Sequence, residues 1–111
     1  MELFWSTMAA SFFQEEEKVL FIKEIKKKVI PFIDNHFYRI KPIHSLKNFA
    51  LKTYELRLHV GSKDYRVAFA MEHAKIVIFF VSQTLQKVAF EKEVKKWVNR
   101  NKEFMNTITS L

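Results

Sequence analysis

The sequence predicts an α+β domain. Between Thr53 and Val81 lies a run of alternating apolar and polar residues that reads as three consecutive strands, and stretches of helical period stand on either side of it. With 111 residues and an apolar share of 49%, the chain has enough to bury around one core, so residues 1–111 are expected to form a single domain.

The first residues, Glu2 to Met8 (ELFWSTM), suit either a short strand or an apolar arm. From about Ala9 the pattern is helical. Ser11 stands three residues before Gln14, the spacing of a capping box, and Glu15, Glu16 and Glu17 follow where the helix dipole favours acids. Ile22, Ile25, Val29 and Ile33 then recur at intervals of three and four, which makes one apolar face directed at a core. Pro31 either kinks this helix or opens a second short one, because it lacks an N–H and crowds the preceding turn. The lysines Lys26, Lys27 and Lys28 fit a solvated helix face better than a phosphate site. Tyr38 to Lys52 has no sustained period and contains Pro42, so it reads as a basic loop carrying Arg39, Lys41, Lys47 and Lys52.

In the first predicted strand Tyr54, Leu56, Leu58 and Val60 share one face, and Thr53, Glu55, Arg57 and His59 share the other. In the second, Tyr65, Val67, Phe69 and Met71 oppose Arg66, Ala68 and Ala70. Reading GSKD as a four-residue turn pairs Val60 with Tyr65 and Tyr54 with Met71, and sets His59 beside Arg66 and Arg57 beside Ala68. The expected result is a shallow open basin floored by Ala68 and Ala70 and walled by Arg57, Arg66 and His59. Ile76 to Val81 (IVIFFV) is apolar throughout, as a central strand covered on both faces would be. Helical period returns from about Thr84 to Lys102, and Phe104 to Leu111 are expected to fray.

Composition narrows the chemistry. The chain has no cysteine, and its histidines, His36, His44, His59 and His73, lack ligand-like spacing, so no metal or cofactor site is expected. Glu2 and the lack of basic residues before Lys18 are wrong for a secretory signal, and no apolar run reaches the ~20 residues of a membrane span, so the expected location is the cytoplasm. The net charge of +7 is concentrated in residues 38–111, which suggests a polyanionic or acidic partner, nucleic acid first among them. No phosphate loop, nucleophile elbow or HExxH helix is present. Arginine forks bind phosphate oxygens bidentately and can stabilise charge growing on a scissile phosphate; an ordinary solvated sheet face is the competing reading of Arg57 and Arg66. His59 adds a side chain suited to general-base work, although histidines more often serve as surface residues.

The run Tyr54-Glu55-Leu56-Arg57, then Tyr65-Arg66-Val67, the apolar strand Ile76 to Val81 and the basic segment Phe90 to Arg100 resemble the RelE/ParE superfamily of toxins from bacterial type II toxin-antitoxin pairs, in particular its HigB-like, phage-associated branch. The similarity covers roughly residues 46–100. It implies N-terminal helices packed on one face of a small antiparallel sheet, a C-terminal helix, and an open concave face that engages mRNA on the ribosome. By position it assigns catalytic roles to Arg57 and Arg66 and RNA binding to Lys47 and Lys52; His59 and Lys87 are added to the catalytic candidates, and the basic loop residues Arg39 and Lys41 to the RNA-binding ones, on their own chemistry. It also implies a cognate antitoxin, small and acidic or of helix-turn-helix type. The chain departs from the family in two places: Ser82-Gln83-Thr84-Leu85-Gln86-Lys87 keeps only Lys87 of a lysine-rich segment, and Phe90 stands where some members carry a functional tyrosine. The expected activity is ribosome-dependent mRNA cleavage; a ParE-like gyrase poison and a catalytically decayed binding module are the alternatives.

Overall fold

Alternation and turn chemistry build the sheet first. The computed structural model describes residues 2–34, 41–43, 46 and 51–111, with side chains except those of 32–34. Strands β1 (Glu2–Trp5), β2 (Lys41–Pro42), β3 (Lys52–Val60), β4 (Lys63–Glu72), β5 (Lys75–Ser82) and β6 (Thr109–Ser110) form one sheet in the order β2-β3-β4-β5-β1-β6. Helices α1 (Thr7–Phe12) and α2 (Glu15–Asp34) lie between β1 and β2, and α3 (Lys87–Arg100) follows β5. The sheet is antiparallel except where β1 runs parallel to β5, with Leu3 opposite Ile76 and Trp5 opposite Ile78.

The apolar strand β5 is flanked by β4 and β1 and buried from Ile76 to Ser82, so it is the central strand its composition implies. A bulge against β4 falls at Phe79, where the register shifts between Phe69 opposite Ile78 and Ala68 opposite Phe80. Its effect is to turn both Phe79 and Phe80 to one side of the sheet, while Ile78 and Val81 face the other.

Both faces are covered. On the first, Phe21, Ile25 and Val29 of α2 pack with Leu56, Leu58, Val67, Phe69, Ile76 and Ile78. On the second, Phe90, Val94 and Val98 of α3 pack with Ala68, Ala70, Val77 and Phe80. This overturns the expectation of an open basin. Ala68 and Ala70 are fully buried, because their small side chains let the large residues of α3 settle onto β4.

The register also differs. The hairpin closes on two residues, Gly61 and Ser62, so Val60 pairs with Lys63, His59 with Asp64, Leu58 with Tyr65, Arg57 with Arg66, and Tyr54 with Phe69. Gly61 has φ +62°, the positive value that tight hairpin loops favour and glycine accepts without strain. The shift from the expected pairing is two residues, which preserves both faces while changing every neighbour.

Other differences have local causes. β1 is a strand, and Ser6, rather than Ser11, caps α1: its Oγ accepts from the Ala9 N–H (3.1 Å) and donates to the Phe79 carbonyl (2.8 Å). Ser11 instead donates back to the Thr7 carbonyl inside α1, so the Ser11–Gln14 capping box is not formed. The helix α2 continues through Pro31 to Asp34. Part of the expected loop is the edge strand β2. The C-terminus does not fray, since Phe104 is buried against Phe79 and Trp97, and β6 covers the outer edge of β1.

Candidate functional site

The short hairpin loop sets Asp64 directly across from His59, and the pleat puts Arg57 two residues further along the same face. Asp64 accepts from both: its Oδ1 is 2.9 Å from His59 Nδ1 and its Oδ2 is 3.4 Å from Arg57 Nη2. The hydrogen bond from His59 comes first among the causes that hold the Asp64 carboxyl below the usual carboxylate range, with Arg57 adding to it. An ionised carboxylate only accepts, so Nδ1 carries the shared proton and a neutral His59 presents its Nε2 lone pair outward. The side chains of Arg57 and His59 are 57% and 66% exposed, open to a ligand at the rim of the sheet.

Arg66 lies opposite Arg57 but is turned inward. Its Nη1 donates to Glu55 Oε1 at 2.9 Å and its Nε to the Leu85 carbonyl at 2.9 Å, and its side chain is 17% exposed. Glu55 is fully buried. Burial pushes its carboxyl up from the ordinary range, Arg66 works against that, the Glu91 carboxyl adds to it, and Lys87 opposes it. Lys87, the first residue of α3, is therefore near enough for its charge to act on Glu55. Ser82 at the end of β5 donates to Glu93 of α3 (2.8 Å) and fastens the helix to the sheet nearby.

The structure thus brings Arg57 and His59 together at an exposed rim and Arg66 and Lys87 into an adjoining, partly internal cluster. Lys41 is exposed on β2, opposite Glu55. Lys52 is exposed at the start of β3, but its parity places it with Tyr54 on the α2 side. Arg39 and Lys47 lie outside the described residues. Lys28, from the lysine run of α2, donates to the Arg57 carbonyl at 2.7 Å and steadies the strand that carries Arg57. Asp64, Glu55 and Glu91 are the site residues that sequence reasoning missed; reading Gly61-Ser62 as a two-residue loop finds the first of them.

A groove of about 770 Å³ lies elsewhere, between α1 and the end of α3, lined by residues such as Met8, Trp97, Arg100 and Lys102 and by none of the candidate residues. Two of its polar side chains make local bonds, Ser11 to the Thr7 carbonyl and Asn101 to the Trp97 carbonyl. Among the described residues no helix is long and apolar enough to cross a membrane.

No protein-family profile, curated protein or solved structure matches this chain.

Proposed function

We propose that the protein is an RNA-cleaving toxin of the RelE/HigB type, acting on mRNA at the ribosome in the cytoplasm and held inactive by a small acidic or helix-turn-helix antitoxin. The observation that carries this reading is the exposed His59–Asp64–Arg57 constellation. The order of helices, a three-strand antiparallel meander and a further helix supports it, while α3 covers much of the face that the resemblance leaves open.

In the proposed reaction His59 Nε2 removes the proton of a ribose 2′-hydroxyl, whose oxygen forms a bond to the adjacent phosphorus while the bond from phosphorus to the 5′-oxygen breaks. Water protonates the leaving oxygen. Asp64 keeps His59 in the tautomer that can act as base, and Arg57 stabilises the added charge on the phosphate. Lys87 and Lys41 flank the rim and hold neighbouring phosphates, joined by Arg39 and Lys47 in the RNA-binding role, whereas Lys52 lies on the α2 side and takes no part. Arg66 is a positioning residue for Glu55 and for the segment that leads into α3.

Induced in bacteria, the protein should arrest growth and cleave translated mRNA. Arg57→Ala or His59→Ala should reduce cleavage by about 10²–10⁴-fold, the range of one general-base or charge-stabilising group. Intact translated mRNA in arrested cells overturns the reading, and an accompanying DNA-damage response points to gyrase. The inward turn of Arg66 favours one further reading, a module that binds RNA without cutting it; such a protein binds in a salt-dependent way and arrests nothing.

A further inference from the structure

Glu55 and Glu91 have no part in the chemistry proposed above. Glu55 projects from β3 beneath α3 and is 0% exposed. One of its oxygens, Oε1, accepts from Arg66, and the other, Oε2, is buried with no hydrogen-bond partner among the described residues. Glu91, one turn into α3, has its own Oε1 buried and likewise without a partner among them. Two buried acceptor oxygens, on carboxyls near enough for Glu91 to act on Glu55, thus have no N–H donor among the described residues. A buried carboxylate oxygen without a donor is strongly disfavoured, and two like charges in one such place are worse. A single proton answers both problems, because a protonated carboxyl becomes a donor.

We propose that Glu55 carries a proton on Oε2 that it shares with Glu91 Oε1, forming a pH-sensitive switch for the charge of the adjoining basic rim. The surroundings allow this. Facing Glu55 are Arg66 and the buried Ala68 from β4, Lys41 from β2, Arg57 two residues along β3, and Lys87 and Glu91 from α3; Glu93 of α3 is engaged by Ser82 of β5. Burial raises the Glu55 pKa, Arg66 and Lys87 lower it, and Glu91 raises it, with the upward causes prevailing. With Glu55 protonated, the carboxyl pair holds one negative charge fewer beside Arg66, Arg57 and Lys87. With Glu55 ionised, that negative charge returns and offsets the basic rim. The rim is therefore a stronger anion site on the acid side of the transition, and the role of this charge in RNA binding rests on the function proposed above.

The test follows glutamate side-chain carbons by NMR in the ¹³C-labelled full chain, with Glu55 assigned by loss of its signal in Glu55→Gln. Glu55 should titrate above the surface glutamates. Glu91→Gln removes the like charge and offers an N–H to Oε2, so the Glu55 midpoint should fall by about one unit or more; Lys87→Gln should move it upward. These opposite shifts keep the test decisive if one variant folds poorly. Glu55 titrating with the surface glutamates, or at a midpoint that neither variant moves, overturns the proposal. In parallel, the affinity for a single-stranded oligouridylate should weaken as pH rises through the Glu55 midpoint, and this step should move with the midpoint in Glu91→Gln. An affinity that ignores the midpoint overturns the switch. The predicted carbon titration in a protein that binds no RNA supports the shared proton and overturns the nucleic-acid reading alone.

Discussion

Arg57 and Arg66 occupy equivalent positions on neighbouring strands, and their partners give them opposite work. Arg57 is mostly exposed, so Arg57→Ala should change stability by no more than about 0.5 kcal/mol while removing RNA cleavage, checked by urea denaturation alongside an mRNA assay. Where Glu55 is ionised, Arg66→Ala leaves it buried without its cation and should lose about 3–5 kcal/mol. The sign with pH follows from the raised pKa of Glu55: its contribution to stability is complete below the unfolded-state value and declines as pH rises through the folded one. The deficit of Arg66→Ala should therefore shrink as the solution is made acidic, because a neutral Glu55 needs no cation; an equal deficit at pH 5 and pH 8 contradicts this account. Asp64 has the opposite sign. Its lowered pKa stabilises the fold above the unfolded-state value, an effect lost as pH falls through the folded value, so Asp64→Asn should flatten the acid end of the stability profile. The same variant should depress cleavage by leaving His59 without its orienting acceptor. Alternation along β3 was enough to find Arg57 and His59. It could not separate Arg57 from Arg66, because the difference lies in what α3 brings from across the layer, and no pattern within a strand records that.

At the level of elements, the Gly61-Ser62 loop sets the pairs that make the site. Gly61→Ala meets no atom within 4 Å, so its expected loss of about 1 kcal/mol comes from the left-handed backbone alone and is measurable by urea denaturation. Strand identity and facing were legible because a period of two survives a two-residue shift, whereas the pairing of His59 with Asp64 was not, since loop length decides it. The bulge at Phe79 was hidden for a related reason: IVIFFV carries no polar residue to mark where the alternation breaks. The terminal segment shows how aromatic packing overrides the tendency of chain ends to loosen. Phe104 lies 5.0 Å from Phe79 and 5.3 Å from Trp97, centroid to centroid, so Phe104→Ala should lower stability by about 3–5 kcal/mol in the same assay, where a frayed end would give almost no change.

For the molecule as a whole, three layers decide how its charge of +7 can be used. With α3 covering one face and α2 the other, the proposed RNA would meet the rim around Arg57, Lys41 and Lys87 rather than a broad basic sheet. If those three residues supply the contacts, the logarithm of affinity for single-stranded RNA should fall against the logarithm of salt with a slope near −2, at roughly 0.7 per phosphate contact. Removing Arg57 should reduce the slope by about 0.7. Changing an exposed α2 lysine remote from the rim, as in Lys23→Gln, should leave it nearly unchanged, because screening limits distant charges to a small, diffuse attraction. A common reduction in both variants would mean that net charge, with no localised rim, governs binding. A reduction confined to Arg57→Ala would place the phosphates beside the His59–Asp64 pair, where the 2′-hydroxyl must lie for cleavage to occur.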